Sequence, residues 1–128
     1  KRLILVDLPG YGYAKVSKTQ VAAWTRTLKS FLKGRVALRR VCLLIDSRIG
    51  LKDLDREMMD MLDSAAVVYQ VVFTKVDKLK NNDLMILTKK TTDELNKRSA
   101  AFPTLAFTSS NKLIGIGELR AGLASLSD

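Results

Sequence analysis

Three near-continuous apolar runs, each closing on a polar residue, limit what this chain can fold into more than any other feature. They are Leu3-Ile4-Leu5-Val6 before Asp7, Val41-Cys42-Leu43-Leu44-Ile45 before Asp46, and Val67 to Phe73 before Thr74. Runs without polar alternation suit strands buried on both faces of a parallel sheet. Between them the apolar spacing changes to that of helices. Val21, Trp24, Leu28, Phe31 and Leu32 predict a helix over 18–33, entered through a capping box of Ser17 and Gln20 and ended by Gly34. Leu54, Met58, Met61 and Leu62 predict a second over 53–64, with the methionines as core filling. Leu84, Leu87, Thr91 and Leu95 predict a third over 83–98, capped by Asn82 or Asp83. Pro103 opens a short strand, Thr104 to Thr108, and Ile116, Leu119, Leu123 and Leu126 put a last helix over 117–126. Strands alternating with helices give an α/β fold with right-handed crossovers, a mostly parallel sheet and helices on both faces.

At 128 residues the chain is read as one domain, 1–128. An apolar content of 47% with mixed charge marks it as globular rather than disordered. No apolar run approaches the ~20 residues of a membrane span, so no membrane partner is expected. Cys42 is the single cysteine, placed in a strand run as core, and an internal disulfide is excluded. That fits a reducing compartment. There is no histidine, which removes the commonest general base and metal ligand. The first residue is Lys1 and the chain enters a strand almost at once, so it is expected to be a fragment or a processed product.

The 22 basic and 13 acidic residues give a net charge of +9, unevenly spread. Between Asp7 and Asp46 there are eight basic residues and no acidic one. Such a surface attracts polyanions, nucleic acid first. Arg26, Lys29 and Lys33 fall on one flank of the first helix, a candidate RNA-facing strip; an ordinary solvated face would look the same.

The chemistry gathers at the strand ends. Open α/β sheets bind ligands beyond the carboxyl ends of their strands, and Thr74-Lys75-Val76-Asp77 occupies that position. A fixed carboxylate can accept two parallel hydrogen bonds from guanine, from the ring N1–H and the exocyclic amine. Adenine offers no such donor pair on that edge, so one Asp can choose the base. The Lys stem can lie along a purine face with its tip in water. Asp7-Leu8-Pro9-Gly10 ends the first strand: an Asp there can hold magnesium through a water, and Gly10 lets a backbone N–H approach a terminal phosphate. Thr108-Ser109-Ser110-Asn111-Lys112 ends the fourth. Each motif alone is a short pattern that an ordinary solvated turn would also satisfy. In this order, with 65 residues from Gly10 to Lys75 and 32 from Asp77 to Ser109, the set is specific.

With these boxes the chain resembles a translation-factor-type, Ras-like P-loop GTPase. More narrowly, Asp7-Leu8-Pro9-Gly10-Tyr11-Gly12-Tyr13-Ala14, Asp46-Ser47-Arg48 with Leu51-Lys52-Asp53-Leu54-Asp55, and Thr74-Lys75-Val76-Asp77-Lys78-Leu79 are similar to the EngB (YihA/YsxC) family over nearly the whole chain. The resemblance implies a GTPase needed for assembly of the large ribosomal subunit, with GTP or GDP and Mg2+ as its ligands. It also implies a link to cell division, rRNA or the large subunit as partner, and a location in bacterial cytoplasm or an organellar matrix. On it, Asp7 would be the water-mediated magnesium ligand. Pro9 and Gly10 would belong to the phosphate-sensing switch, and Thr74, Lys75 and Asp77 to the base box. The backbone of Ser109 and Ser110 would meet guanine O6. Tyr11 stands where Ras-like enzymes keep a water-orienting Gln, so intrinsic hydrolysis is expected to be slow.

No G-x-x-x-x-G-K-[ST] occurs in the sequence. The fold is therefore expected to be an incomplete Ras-like one, the carboxy-terminal portion of a G domain. In the family's sheet the P-loop strand separates strand 2–7 from strand 41–46. Without it, either those two strands close on each other or the gap is filled by self-association. No catalytic residue is assigned within the chain, which alone should not hydrolyse GTP. The alternative is a non-enzymatic basic module binding rRNA or protein. A domain for ATP or flavin is disfavoured, because no Gly-rich phosphate loop is present and Asp77 suits guanine.

Overall fold

Val41–Asp46 and Tyr69–Thr74 form strands β1 and β2, which run parallel in an unbroken register from Val41 opposite Tyr69 to Asp46 opposite Thr74. The computed structural model describes residues 18–34 and 38–126. Its order is α1 (Lys18–Gly34), β1, α2 (Asp53–Ser64), β2, a 3-10 turn (Val76–Lys78), α3 (Asn81–Leu95), β3 (Ala106–Phe107) and α4 (Ile116–Ala124). The described sheet is β1-β2-β3, all parallel. The parallel α/β expectation is met.

The core lies on one face of that sheet. Val41, Leu43 and Ile45 of β1 and Tyr69, Val71 and Phe73 of β2 point into it. Trp24 and Leu28 of α1, Met58, Met59 and Leu62 of α2, and Leu95 of α3 cover them. Two of the helix stripes are as expected: Met58 and Leu62 are fully buried, Thr91 and Leu95 nearly so. Each fully buried aliphatic or Met side chain contributes about 1.5–3 kcal/mol over its exposed state. Leu84, Leu87 and Met61 pack at the edge of the cluster. In and beside α4, Ile116, Leu119, Leu123 and Leu126 are the residues in phase, and all are half-buried.

Several boundaries differ, for identifiable reasons. β2 starts at Tyr69 rather than 67, because the Val67 N–H closes α2 on the Leu62 carbonyl at 3.0 Å and Ala66 takes a positive φ of 55°. α3 begins at Asn81, not 83: Lys80 is extended and its carbonyl accepts the Leu84 N–H at 3.0 Å, leaving Asp83 in the first turn, where a carboxylate suits the helix dipole. It ends at Leu95, three residues early. β3 has only two residues. Pairing with β2 starts at Ala101 opposite Tyr69, then lapses at Pro103, which has no N–H, and at Thr104, whose carbonyl takes the Gln70 side-chain amide at 3.1 Å. Gln70 also accepts from Arg40 at 3.2 Å, and the Arg40 guanidinium lies 3.9 Å over the Phe102 ring. Cys42 is half-buried on the same face as exposed Leu44, not in the core.

Ser17, strand 2–7 and its following loop lie outside the described residues. Within them β1 pairs with β2 alone, so the expected closure or filling of the gap is not described. No described helix is long and apolar enough to cross a membrane.

Asp63, at the end of α2, binds three elements together. It accepts the buried Tyr69 hydroxyl at 3.0 Å, the Ala100 N–H at 2.9 Å and an Arg98 nitrogen at 3.2 Å. Asp63→Ala should therefore cost about 2–4 kcal/mol, because a buried phenol and an amide lose their partner, while Tyr69→Phe should cost about 1 kcal/mol. Urea denaturation of both variants checks the ratio; equal losses would contradict this account.

Candidate functional site: the rim of β1, β2 and β3

Where β2 ends, the chain must turn back toward α3, and it does so through Lys75 in the left-handed region at φ 57°. A non-glycine residue held there is mildly strained, and such strain gathers at functional loops. Val76 is buried beneath the turn and its N–H donates to the Thr108 carbonyl at 3.2 Å, fixing the turn against the segment after β3. Thr108 is itself anchored to the end of β2, donating both its N–H (2.8 Å) and its hydroxyl (3.0 Å) to the Phe73 carbonyl.

These anchors bring Asp77 and Ser109 together. The buried Ser109 hydroxyl donates to Asp77 Oδ1 at 2.7 Å and accepts the Lys112 N–H at 3.1 Å, so its direction is set. Asp77 Oδ2 lies 3.9 Å from Lys78 Nζ, and the carboxylate is 10% exposed. Ser109 holds the Asp77 carboxyl below the ordinary value of 3.8, helped by Lys78 and Lys112. The carboxylate is thus ionised, oriented and at the surface, as an acceptor for two donors requires.

The loop that carries Ser109 is closed by two bonds: Ser109 N–H to the Ile114 carbonyl at 3.0 Å and the reverse at 3.1 Å. Gly115 follows at φ 70°, and a Cβ there would stand 1.8 Å from the Phe107 carbonyl oxygen. Only glycine lets this loop return so close to β3.

The remaining residues expected at the site fall as follows. Thr74 turns its hydroxyl to the Ile45 carbonyl at 3.4 Å, so it ties β2 to β1. Lys75 is 55% exposed, with Nζ 3.4 Å from Asp46 Oδ2. Ser110 is exposed beside Ser109. Arg26 and Lys29 are exposed on α1, away from buried Trp24 and Leu28. The Lys33 side chain and Asp7, Pro9 and Gly10 lie outside the described residues. Among the described residues no three carboxylate or thiol groups converge on a metal position, so the expected magnesium rests on Asp7 alone.

Two members of the rim were not among the residues expected there, Asp46 and Arg48. Asp46 accepts from Arg48 Nε at 3.0 Å and Nη2 at 2.7 Å as well as from Lys75. The Arg48 pair holds the Asp46 carboxyl well below the usual carboxylate range. The signal was present: β1, like the first apolar run, closes on Asp, and parallel pairing must set that Asp beside Thr74.

No family model matches the chain. Its fold is similar to that of translation elongation factor SelB from Methanococcus maripaludis: the apo form superposes with a TM-score of 0.72 at 20% identity, over 94% of this chain and 24% of that one. The form bound to the GTP analogue GppNHp gives 0.59 at 18% identity, over 80% and 23%. The fold is therefore the parallel α/β fold of the P-loop GTPases, here without the P-loop motif. In sequence, the protein named "Probable GTP-binding protein EngB" from Hyphomonas neptunium is 57% identical over 127 residues, 98% of this chain and 58% of that protein. Its namesake from Rhodospirillum rubrum is 52% identical over 125 residues, covering 98% and 54%. The chain belongs to the EngB family, and it spans little more than half the length of these curated relatives.

Two outcomes follow from the geometry. Gly115→Ala should displace the 109–115 loop and detach Ser109 from Asp77, read as large amide shift changes at both residues in NMR spectra. Asp46 and Asp77 both have depressed folded-state values, so their stabilisation is complete above 3.8, the ordinary Asp value, and is lost as pH falls below it. The double variant Asp46→Asn, Asp77→Asn should accordingly show a shallower loss of stability below about pH 4 than the native chain. Denaturant titrations across that range test the sign.

Proposed function

We propose that this chain is the base-selecting portion of an EngB-type GTPase, with Asp77 as the guanine acceptor and Lys75 as the purine-face residue. One observation carries the reading: the 2.7 Å bond from Ser109 to Asp77 joins two boxes 32 residues apart into a single fixed acceptor at the sheet's rim. The names of the relatives, which describe GTP-binding proteins, support it.

Asp77 supplies the paired acceptor and Ser109 orients it. Lys75 offers an aliphatic stem for a purine face, and the backbone at Ser109 and Ser110 lies next to where guanine O6 would come. The phosphate and magnesium side belongs to Asp7, Pro9, Gly10 and to a P-loop that the sequence lacks. Here the chain selects the base but contributes little to holding phosphates, so hydrolysis belongs to the intact protein. Within that protein the role is assembly of the large ribosomal subunit, with exposed Arg26 and Lys29 of α1, and Lys33, contacting rRNA. The gap left beside β1 by the missing strand would be closed by strand 2–7 or filled by self-association. Non-enzymatic RNA binding is the second reading, favoured by the same exposed basic residues and the +9 net charge.

Titration with GDP and ADP separates the two. Weak binding with a preference for GDP, lost in Asp77→Ala, and no detectable GTP turnover are expected. Salt-sensitive RNA binding indifferent to either nucleotide would favour the second reading, and GTP turnover abolished by Asp77→Ala would overturn the division of labour drawn here.

A further inference from the structure

Arg48 takes both oxygens of the Asp46 carboxylate, Nε on Oδ1 at 3.0 Å and Nη2 on Oδ2 at 2.7 Å. Oδ1 also accepts the Arg48 backbone N–H at 3.0 Å, and the Asp46 carbonyl accepts from Ile49 and Gly50, both at 3.0 Å; together these fold the turn after β1. Oδ2 also reaches the loop after β2, where Lys75 Nζ lies at 3.4 Å. The β1–β2 register, Asp46 opposite Thr74, sets the two residues at neighbouring strand ends.

A lysine side chain more than half in water samples many rotamers. The left-handed backbone of Lys75 sets the direction in which its stem leaves the turn, and the Asp46 carboxylate anchors its tip. With both ends held, the stem spans from the turn after β2 to the carboxylate at the end of β1. We infer that Asp46 is the positioning residue for Lys75: a carboxylate on the neighbouring strand that pre-orders the lysine stem for a purine face. This deepens the guanine-binding reading and rests on it. Asp46 touches no base in this role; it acts through Lys75.

The bland role for Asp46 is to hold its own turn, and a Lys75→Met background separates the two. Lys75→Met keeps an apolar stem and removes the ammonium, so a carboxylate that acts through Lys75 loses its effect there. The 128-residue chain and its variants would be titrated with GDP and ADP by heteronuclear NMR, with the lysine ammonium signals recorded without nucleotide. Asp46→Asn should weaken GDP binding about fivefold, the scale of one partly exposed ion pair, while keeping the preference for GDP over ADP. Asp46→Glu, which retains the charge, should restore part of that loss. In the Lys75→Met background, Asp46→Asn should leave GDP binding within about twofold of Lys75→Met alone. Before any nucleotide is added, the Lys75 ammonium signal should be slowed in exchange in the native chain and lost in Asp46→Asn. An unchanged Lys75 signal in Asp46→Asn, or a loss of affinity from Asp46→Asn in the Lys75→Met background as large as in the native chain, overturns the inference and leaves the guanine reading standing. No GDP-dependent shift in the native chain, or a GDP preference intact in Asp77→Ala, overturns that reading and this inference together.

Discussion

The arrangement rests on parallel pairing. In an antiparallel sheet, neighbouring strands would deliver their ends to opposite edges. Here β1 and β2 run together for six paired positions, and Thr108 donates twice to the Phe73 carbonyl of β2 to bring the third strand level. Three loops thereby open at one edge, and the crossovers α2 and α3 carry the chain back beneath the sheet. The polar groups at this rim owe their place to that geometry: Asp46, the Lys75–Asp77 turn and Ser109 lie about 30 residues apart in sequence and share the position of a strand end.

Much of this could be read from the residues because burial and function use different signals. Continuous apolar runs located β1 and β2, and helical spacing located α1, α2 and α3, since both patterns follow from which faces must be kept dry. Boundaries were less legible. Where α3 begins was decided by the backbone of Lys80, while the side chains that looked like caps, Asn82 and Asp83, became part of the first turn. β3 was shortened by Gln70, a buried amide that takes a strand carbonyl for itself. No local pattern announces such a bond, because its two partners are 34 residues apart.

The site was legible in its parts and only partly in its joins. Thr-Lys-x-Asp and the Ser pair name the groups, but the sequence does not say that Ser109 will donate to Asp77 and not to its own loop. Gly115 decides that, by letting residues 109–115 return against β3. Nor does the sequence say that Thr74 will turn inward while its neighbour Lys75 points to the rim. That follows from alternation along β2, ended by the left-handed turn at Lys75.

On the guanine reading proposed above, this rim would separate selectivity from affinity. Asp77 is ionised and oriented at the rim, so a base that gives it two donors would replace the water it loses. Adenine brings no such pair, and the carboxylate would lose water with only Ser109 and Lys78 left to it, a cost that a base with two donors does not meet. Discrimination built on that cost would not depend on how tightly the rest of the nucleotide is held. It would persist in a chain without a P-loop motif, because Asp77, with Ser109 behind it, is held by the sheet and its loops.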